Sequence, residues 1–154
     1  QEYQELIADL SQDKTRNELI LDTLKKENRP TCLLCLRLSQ VDYFQEKLGD
    51  KAVSLTSKMT KKARKAVMEK LTKGEVSIVI STYGLFSTGI DVPQLEVLLL
   101  AAPIRSEIKL RQSAGRLMRL HEGKTSAKII DFVDVGVDLL KFQSRKRKQI
   151  LEKL

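Results

Sequence analysis

The sequence predicts an α/β domain of three layers, with a mostly parallel central sheet flanked by helices. Continuous apolar runs, typical of strands that are buried on both faces, occur at 32–36, 76–80 and 97–101. Other segments, among them 60–73 and 107–120, carry apolar residues at helical spacing. Strands that alternate with helices form parallel sheets covered on both sides, and ligands of such sheets bind beyond the carboxyl ends of the strands.

The elements follow one another in a simple order. A leading helical segment, residues 1–30, is predicted as one or two helices over 1–27 and is broken at Asn28-Arg29-Pro30. The later elements are a strand at 32–36, a helix with the stripe Val41, Phe44 and Leu48, a strand near 52–55, a helix at 60–73, strands at 76–80 and 97–101, a helix at 107–120, a strand at 127–132 and a basic helix at 137–154. We therefore expect one domain, with a core at 31–134 and a basic C-terminal helix at 135–154.

The composition favours a globular protein with a polyanionic partner. The 154 residues include 28 Lys+Arg and 20 Asp+Glu, which gives a net charge of +8. Such an excess suits nucleic acid, although a merely soluble basic surface is an equal alternative. No apolar run approaches the roughly 20 residues that span a membrane, and no signal-peptide pattern is present. The first methionine is Met59, so we expect the chain to be a piece of a longer protein.

The only two cysteines are predicted to be structural. Cys32 and Cys35 have C-x-x-C spacing but lie inside an apolar run. Residues three apart in a strand point to opposite faces, so one metal ion could hardly take both sulfurs. We predict no metal site here, and buried free thiols indicate a reducing, cytoplasmic location.

The first stretch with chemical potential runs from Ser81 to Pro93, directly after a buried strand. Hydroxyls and glycines at a strand end can offer donors to phosphate oxygens. Asp91, close to Gly89, could accept a hydrogen bond from a ribose hydroxyl. The alternative is an ordinary connecting loop in which Asp91 is a turn residue.

The second stretch is Gln112-Ser113-Ala114-Gly115-Arg116-Leu117-Met118-Arg119. On a helix its residues divide into a polar stripe of Gln112, Arg116 and Arg119 and an apolar stripe of Leu110, Ala114 and Leu117. The apolar stripe should face the sheet, and Gly115 should permit a phosphate or another domain to approach closely. Two arginines and an amide suit the charge that develops on a transferred phosphoryl group. A solvated basic helix face is the alternative.

In this order the two stretches resemble motifs V and VI of superfamily 2 helicases, and the resemblance extends over residues 31–134. It implies a second, RecA-like motor domain of an ATP-dependent helicase or translocase. Gly89 and Asp91 would meet the ATP ribose, Gln112 would sense the γ-phosphate, and Arg116 and Arg119 would bind it, with Arg119 as the arginine finger. The residues implied to contact the nucleic-acid backbone are Arg37, Ser39, Thr56, Ser81 and Thr82.

The resemblance implies DNA more than RNA as the substrate. The motif V pattern and the glutamine-led motif VI look closest to DNA repair, recombination and restriction translocases. Gln112 stands where DEAD-box RNA helicases carry histidine, and Ser113 where they carry arginine. The motif V loop is also one residue longer than theirs.

The resemblance also implies that ATP and Mg²⁺ are held mainly by a separate N-terminal P-loop domain of the same protein. Gly123-Lys124-Thr125 is not a P-loop, because a P-loop needs glycine where Met118 stands; we interpret it as a turn. Alone, the chain should lack ATPase activity. Two alternatives are a non-catalytic RecA-like module that binds nucleic acid or a partner, and an unrelated nucleotide-binding domain, which lacks support from any glycine-rich phosphate loop.

A basic run, Ser144 to Lys148, lies in the last predicted helix beside apolar residues. Such a run is usually a solvated helix face. A patch for the DNA backbone is the other interpretation.

Overall fold

A computed structural model of the chain confirms a three-layer α/β fold and describes residues 2–89, 92–119, 124 and 126–154. The strands are β1 (Thr31–Cys35), β2 (Ala52–Leu55), β3 (Ile78–Thr82), β4 (Val97–Leu100) and β5 (Lys128–Asp131). The helices are α1 (Glu2–Ser11), α2 (Lys14–Lys26), α3 (Leu38–Leu48), α4 (Lys61–Thr72), α5 (Tyr83–Gly89), α6 (Glu107–Leu117) and α7 (Asp138–Glu152), and a 3₁₀ turn spans Gly49–Lys51.

The five strands form one parallel sheet in the order β2-β3-β1-β4-β5. β1 lies at the centre, where Leu33 pairs with Ile80 on one side and with Leu99 on the other. From β1 the chain passes to β2 at one edge, returns to β3 beside β1, and then crosses to β4 and β5 on the other side. The carboxyl ends of β1 and β4 therefore form the position where ligands of such sheets usually bind.

Each face of the sheet has its own apolar layer. Residues of α4, α5, α6 and α7 pack against the face that carries Cys32 and Leu34. Residues of α2 and α3 pack against the face that carries Leu33 and Cys35. The two cysteines thus lie on opposite faces, as strand alternation predicts, and both are free and buried. Burial raises the pKa of Cys35 to about 12 and raises that of Cys32 well above its ordinary value, so both thiols stay protonated.

Local sequence explains where several helices begin and end. Side-chain oxygens of Asp13, Thr60 and Ser106 accept backbone N–H groups in the first turns of α2, α4 and α6. Gly49 and Gly74 follow α3 and α4 at positive φ, +57° and +74°, which glycine adopts without steric cost. The leading segment forms two helices, α1 and α2, because Asp13 caps a new helix after Ser11.

Three predictions about the elements were wrong. The strand predicted at 76–80 is β3 at Ile78–Thr82, because Ser81 pairs with both Leu34 and Leu55 in the ladder although it is polar. The connection after it contains a helix, α5, where we expected a loop. The helix predicted to reach residue 120 ends at Leu117, with Met118 as its C-cap.

The basic run in α7 is not a uniform solvated face. Ser144 and Arg147 are buried, with 6% and 3% of their surface exposed, whereas the other three residues of the run are exposed. No helix in the described ranges is long and apolar enough to cross a membrane.

Candidate nucleotide and nucleic-acid site

Helix α5 connects the carboxyl edge of the sheet with the end of α6. At its start, Thr82 Oγ1 accepts the Leu85 N–H at 3.4 Å. Near its end, the Ser87 carbonyl accepts Arg116 Nε at 3.2 Å. This contact brings the stretch that resembles motif V against the stretch that resembles motif VI.

Tyr83 fixes the start of α5. Its side chain is 1% exposed, and its hydroxyl donates to the Ala102 carbonyl at 2.7 Å. Burial, with the nearby Asp131 carboxylate, raises the pKa of Tyr83 well above its ordinary value. The hydroxyl therefore remains a donor at any physiological pH, and α5 stays attached to the segment that follows β4.

The apolar stripe of α6 lies as predicted. Leu110, Ala114 and Leu117 are 2%, 1% and 1% exposed. On the opposite stripe Gln112 is exposed and Arg116 is half-buried. A Cβ at Gly115 would meet nothing within 4 Å, so no neighbour within the described chain requires glycine there. The open space agrees with an approach from outside the domain.

Arg119 lies beyond the end of α6, in contrast to its predicted place on the helix. Its side chain is exposed, and its N–H reaches the Arg116 carbonyl at 3.4 Å. The segment is fixed by Lys124, whose ammonium donates to the carbonyls of Arg119 at 2.9 Å, of Pro93 at 3.3 Å and of Leu117. A cation at the carbonyl end of a helix is favourable, because the unpaired carbonyls there carry partial negative charge.

Lys124 is thus a residue of the site that sequence reasoning missed. In the sequence, Lys124 stands out only because Gly123-Lys124-Thr125 resembles part of a P-loop. Desolvation lowers the pKa of Lys124, while the charge of Glu96 opposes that shift. A basic residue a few positions beyond a predicted helix end was the available signal.

The residues expected at the ATP ribose are only partly described. Gly89 is the last residue of α5. Asp91 lies outside the described residues, so its predicted role stays a prediction.

The residues expected at the nucleic acid surround the carboxyl ends of β1, β2 and β3. Arg37 precedes α3 and is half-buried. Its Nη2 donates hydrogen bonds to the Gln4 carbonyl at 2.9 Å and to Gln4 Oε1 at 3.1 Å. Ser39 is exposed in α3, and Thr56 is half-buried after β2. Thr82, also half-buried, ends β3. All four thus lie at one edge of the sheet.

The structure does not support the prediction that Ser81 contacts the nucleic-acid backbone. It is completely buried within β3, and its hydroxyl contacts the Thr82 carbonyl at 3.3 Å. Because strand β3 lies two residues later than predicted, Ser81 lies inside the ladder instead of in a loop. Its side chain is therefore not available to a ligand in this conformation.

Two aspartates near the β5 end of the same edge form ion pairs within the fold. Asp131 binds Arg147 Nε at 2.7 Å, and Asp134 binds Arg16 Nε at 2.7 Å. Arg16 also donates to the Ala101 carbonyl. Among the described residues, no three His, Cys, Asp or Glu side chains are grouped so as to hold a metal ion.

Comparison with known protein families matches residues 11–121 to the helicase conserved C-terminal domain. The match covers most of the chain, and the chain belongs to this family.

Two relatives and one solved structure are similar to most of this chain. The Saccharomyces cerevisiae protein named "Putative ATP-dependent helicase IRC3" is 30% identical over 142 residues, 85% of this chain and 20% of that protein. The ATP-dependent DNA helicase uvsW of Enterobacteria phage T4 is 31% identical over 101 residues, 66% of this chain and 20% of that protein. The crystal structure of T4 UvsW superposes with a TM-score of 0.74 at 25% identity and covers 96% of this chain and 34% of that one. The chain thus spans about a fifth of the length of these two relatives.

Proposed function

We propose that the chain is the second motor domain of an ATP-dependent DNA helicase or translocase. The observation that carries this proposal is the contact between α5 and α6, where Arg116 Nε meets the Ser87 carbonyl at 3.2 Å. It joins a hydroxyl- and glycine-rich segment that starts at the sheet edge to the end of α6, which bears Arg116 and is closely followed by Arg119. One short helix thereby links a surface suited to nucleic acid with a surface suited to a triphosphate.

The end of α6 fits the polyphosphate of a nucleotide presented from outside. Gln112 and Arg119 are exposed, Arg116 is half-buried, and the space above Gly115 is open. In this proposal Gln112 senses the γ-phosphate, Arg116 binds it and Arg119 is the finger, because a planar guanidinium matches phosphoryl oxygens in two directions. Gly89 and Asp91 approach the ribose.

ATP and Mg²⁺ would be held mainly by a P-loop domain of the same protein. The described residues offer a basic surface for phosphate but no cluster of three or more His, Cys, Asp or Glu side chains that could hold a metal. When bound, the metal would neutralise charge on the β- and γ-phosphates. The role of this chain is limited to placing cations on the transferred phosphoryl group from across the cleft.

The carboxyl edge of the sheet is proposed to bind the nucleic-acid backbone through Arg37, Ser39, Thr56 and Thr82. One guanidinium and three hydroxyls are groups that suit phosphates, not base edges. Binding should therefore be weak, independent of sequence and strongly dependent on salt. DNA is preferred in the proposal because Gln112 and Ser113 depart from the RNA helicase pattern.

The test is to compare the isolated chain with the whole protein that contains it. We expect no measurable ATPase from the chain with or without DNA, and DNA-stimulated ATPase from the whole protein. Single-stranded DNA and RNA of the same sequence, titrated at several salt concentrations, should rank DNA first. A whole protein that binds nucleic acid but hydrolyses no ATP would favour the non-catalytic module instead.

A further inference from the structure

A groove between α6 and α7 is not used by the function proposed above. It has a volume of about 410 Å³. Its floor is apolar, formed in part by the buried Ile104 and Leu110 and the half-buried Ile150. Its wall on α7 carries Leu139 and Phe142, which are 48% and 52% exposed. We call this feature the α6–α7 groove.

The rim of the α6–α7 groove is basic. Arg105, Lys146 and Lys153 line it and are exposed. The one carboxylate among its described lining residues is Glu107, and Arg111 already binds it at 2.9 Å. The potential in the groove is therefore positive, and an anion is the complementary ligand.

Arg147 supplies a second and independent indication of an acceptor. It lines the α6–α7 groove and is 3% exposed. Asp131 accepts its Nε and Nη2 at 2.7 and 3.3 Å, whereas its Nη1 has no hydrogen-bond partner among the described residues. A buried charged donor left without an acceptor is unfavourable, so the positive charge of Arg147 is only partly compensated beside the groove.

The α6–α7 groove is continuous with the sheet edge. Ile104 and Arg105 line both this groove and a crevice of about 470 Å³ beside the ends of β1 and β4. That crevice also contains Arg37 and Lys109. A backbone that binds at the edge can thus continue past Arg105 into the groove without leaving basic surface.

We propose that the α6–α7 groove binds single-stranded nucleic acid that extends from the sheet edge. Phe142 stacks against a base, and Arg105, Lys146 and Lys153 contact phosphates. Lys146 Nζ lies 5.7 Å from the centre of the Phe142 ring, so one base and one adjacent phosphate can be bound together. The proposal rests on the nucleic-acid binding proposed above, and continuity with the Arg37 crevice favours a strand over an acidic protein segment.

The experiment measures the affinity of the chain, and of the whole protein, for fluorescein-labelled oligothymidylates of increasing length. Phe142→Ala and Lys146→Gln should each weaken binding of long oligomers by about five- to tenfold, as loss of one stacked base or one phosphate contact does. Binding of the shortest oligomers, which fill only the edge, should change less than twofold. Both side chains are exposed, so thermal stability should not change.

Lys148→Gln is the matched control. It removes the same charge from the same helix, but Lys148 does not line the α6–α7 groove; it lies with Ser144 and Leu151 in a different pocket. We expect its affinity to stay within twofold of the unmodified chain. Lys146→Gln should also lower the slope of log affinity against log salt by about one, whereas Lys148→Gln should not.

The outcomes separate this inference from the proposed function. If Arg37→Ala weakens binding but Phe142→Ala and Lys146→Gln do not, the groove inference is overturned and the edge site survives. If no oligonucleotide binds, both proposals fail. If a helical peptide with leucine on one face and glutamate on the other displaces the long oligomer and binds more tightly, the groove is a protein-docking site and the inference is overturned.

Discussion

Two regions of the molecule each contain a pair of arginines and use them in opposite ways. Near the carboxyl end of β5, Arg16 of α2 and Arg147 of α7 are 8% and 3% exposed. Each guanidinium makes two hydrogen bonds to one aspartate, Asp134 or Asp131. At the end of α6, Arg116 is half-buried and Arg119 is exposed. The chemistry of the side chains is identical, and the degree of burial separates the two pairs.

This difference separates arginines that stabilise the fold from arginines that we propose bind phosphate. A buried guanidinium without its carboxylate is strongly unfavourable, so Arg16 and Arg147 are fixed in the fold. Arg116 and Arg119 lie nearer the solvent, where the nucleotide of the proposed function would reach them. We therefore expect a double dissociation, in which changes at the end of α6 alter turnover and changes beyond β5 alter stability.

Arg119→Ala in the whole protein should give the largest effect. Loss of a finger in other nucleotide hydrolases costs about 10³–10⁵ in turnover, because the cation acts on charge that develops in the transition state. Nucleotide and DNA binding should weaken far less, and Arg119→Lys should rescue poorly, since an ammonium lacks the planar fork. Steady-state ATPase measured beside thermal unfolding would test this.

Arg111→Ala is the control for Arg119. Arg111 is an exposed arginine of α6 whose partner is Glu107, at the surface. Its removal should leave turnover within about twofold and stability within about 0.5 kcal/mol. A well-folded Arg119→Ala protein with near-normal ATPase would refute the finger assignment.

Arg16→Met should instead lower the free energy of unfolding of the chain by about 3–5 kcal/mol, as removal of one partner from a buried ion pair does. It leaves the Asp134 carboxylate, 12% exposed, without its cation and the Ala101 carbonyl without a donor. The double change Arg16→Met with Asp134→Leu should recover part of the loss. Urea unfolding measures both, and equal stability of the single and double variants would contradict the ion-pair argument.

Much of the fold was predictable because apolar periodicity reports directly on burial. The strands β1, β2, β4 and β5 lie within a residue or two of their predicted positions, and the stripe of Leu110, Ala114 and Leu117 faces the core. Strand β3 was placed two residues early because Ser81 and Thr82 are polar. Only the ladder with β1 and β2 shows that a serine can be completely buried there.

The site was predictable in its motifs but not in its supporting contacts. Spacing placed Gln112 and Arg116 on the stripe of α6 that faces away from the core, as the structure has them, but it could not show that α6 ends before Arg119. Neither could spacing show that Arg147, within a basic run, binds Asp131, or that Lys124 binds three carbonyls. Such contacts join positions that are distant in sequence or lie in irregular segments, where no periodic pattern exists.

Lys124→Met tests whether the region of Arg119 is held in place by that ammonium. The variant loses the donor to the Leu117 and Arg119 carbonyls while it keeps a chain of similar length. We expect turnover of the whole protein to fall by about tenfold and stability by about 1 kcal/mol. Lys124→Arg should retain most activity. If turnover is unchanged while stability falls, Lys124 supports the fold without positioning Arg119.

Thr82→Ala should have the smallest effect, and it tests the connection between the two ligand surfaces. Thr82 ends β3 at the sheet edge, and its Oγ1 accepts the Leu85 N–H at 3.4 Å at the start of α5. Loss of this long hydrogen bond should cost at most about 1 kcal/mol of stability. If the hydroxyl also meets the DNA backbone, DNA stimulation of the ATPase should fall by about two- to fivefold, while basal turnover stays the same.

Thr82→Ser keeps the hydroxyl and should behave like the unmodified protein. ATPase titrated with DNA separates maximal stimulation from apparent DNA affinity. An equal loss of basal and stimulated turnover, or no loss of either, would remove Thr82 from the path between DNA and nucleotide.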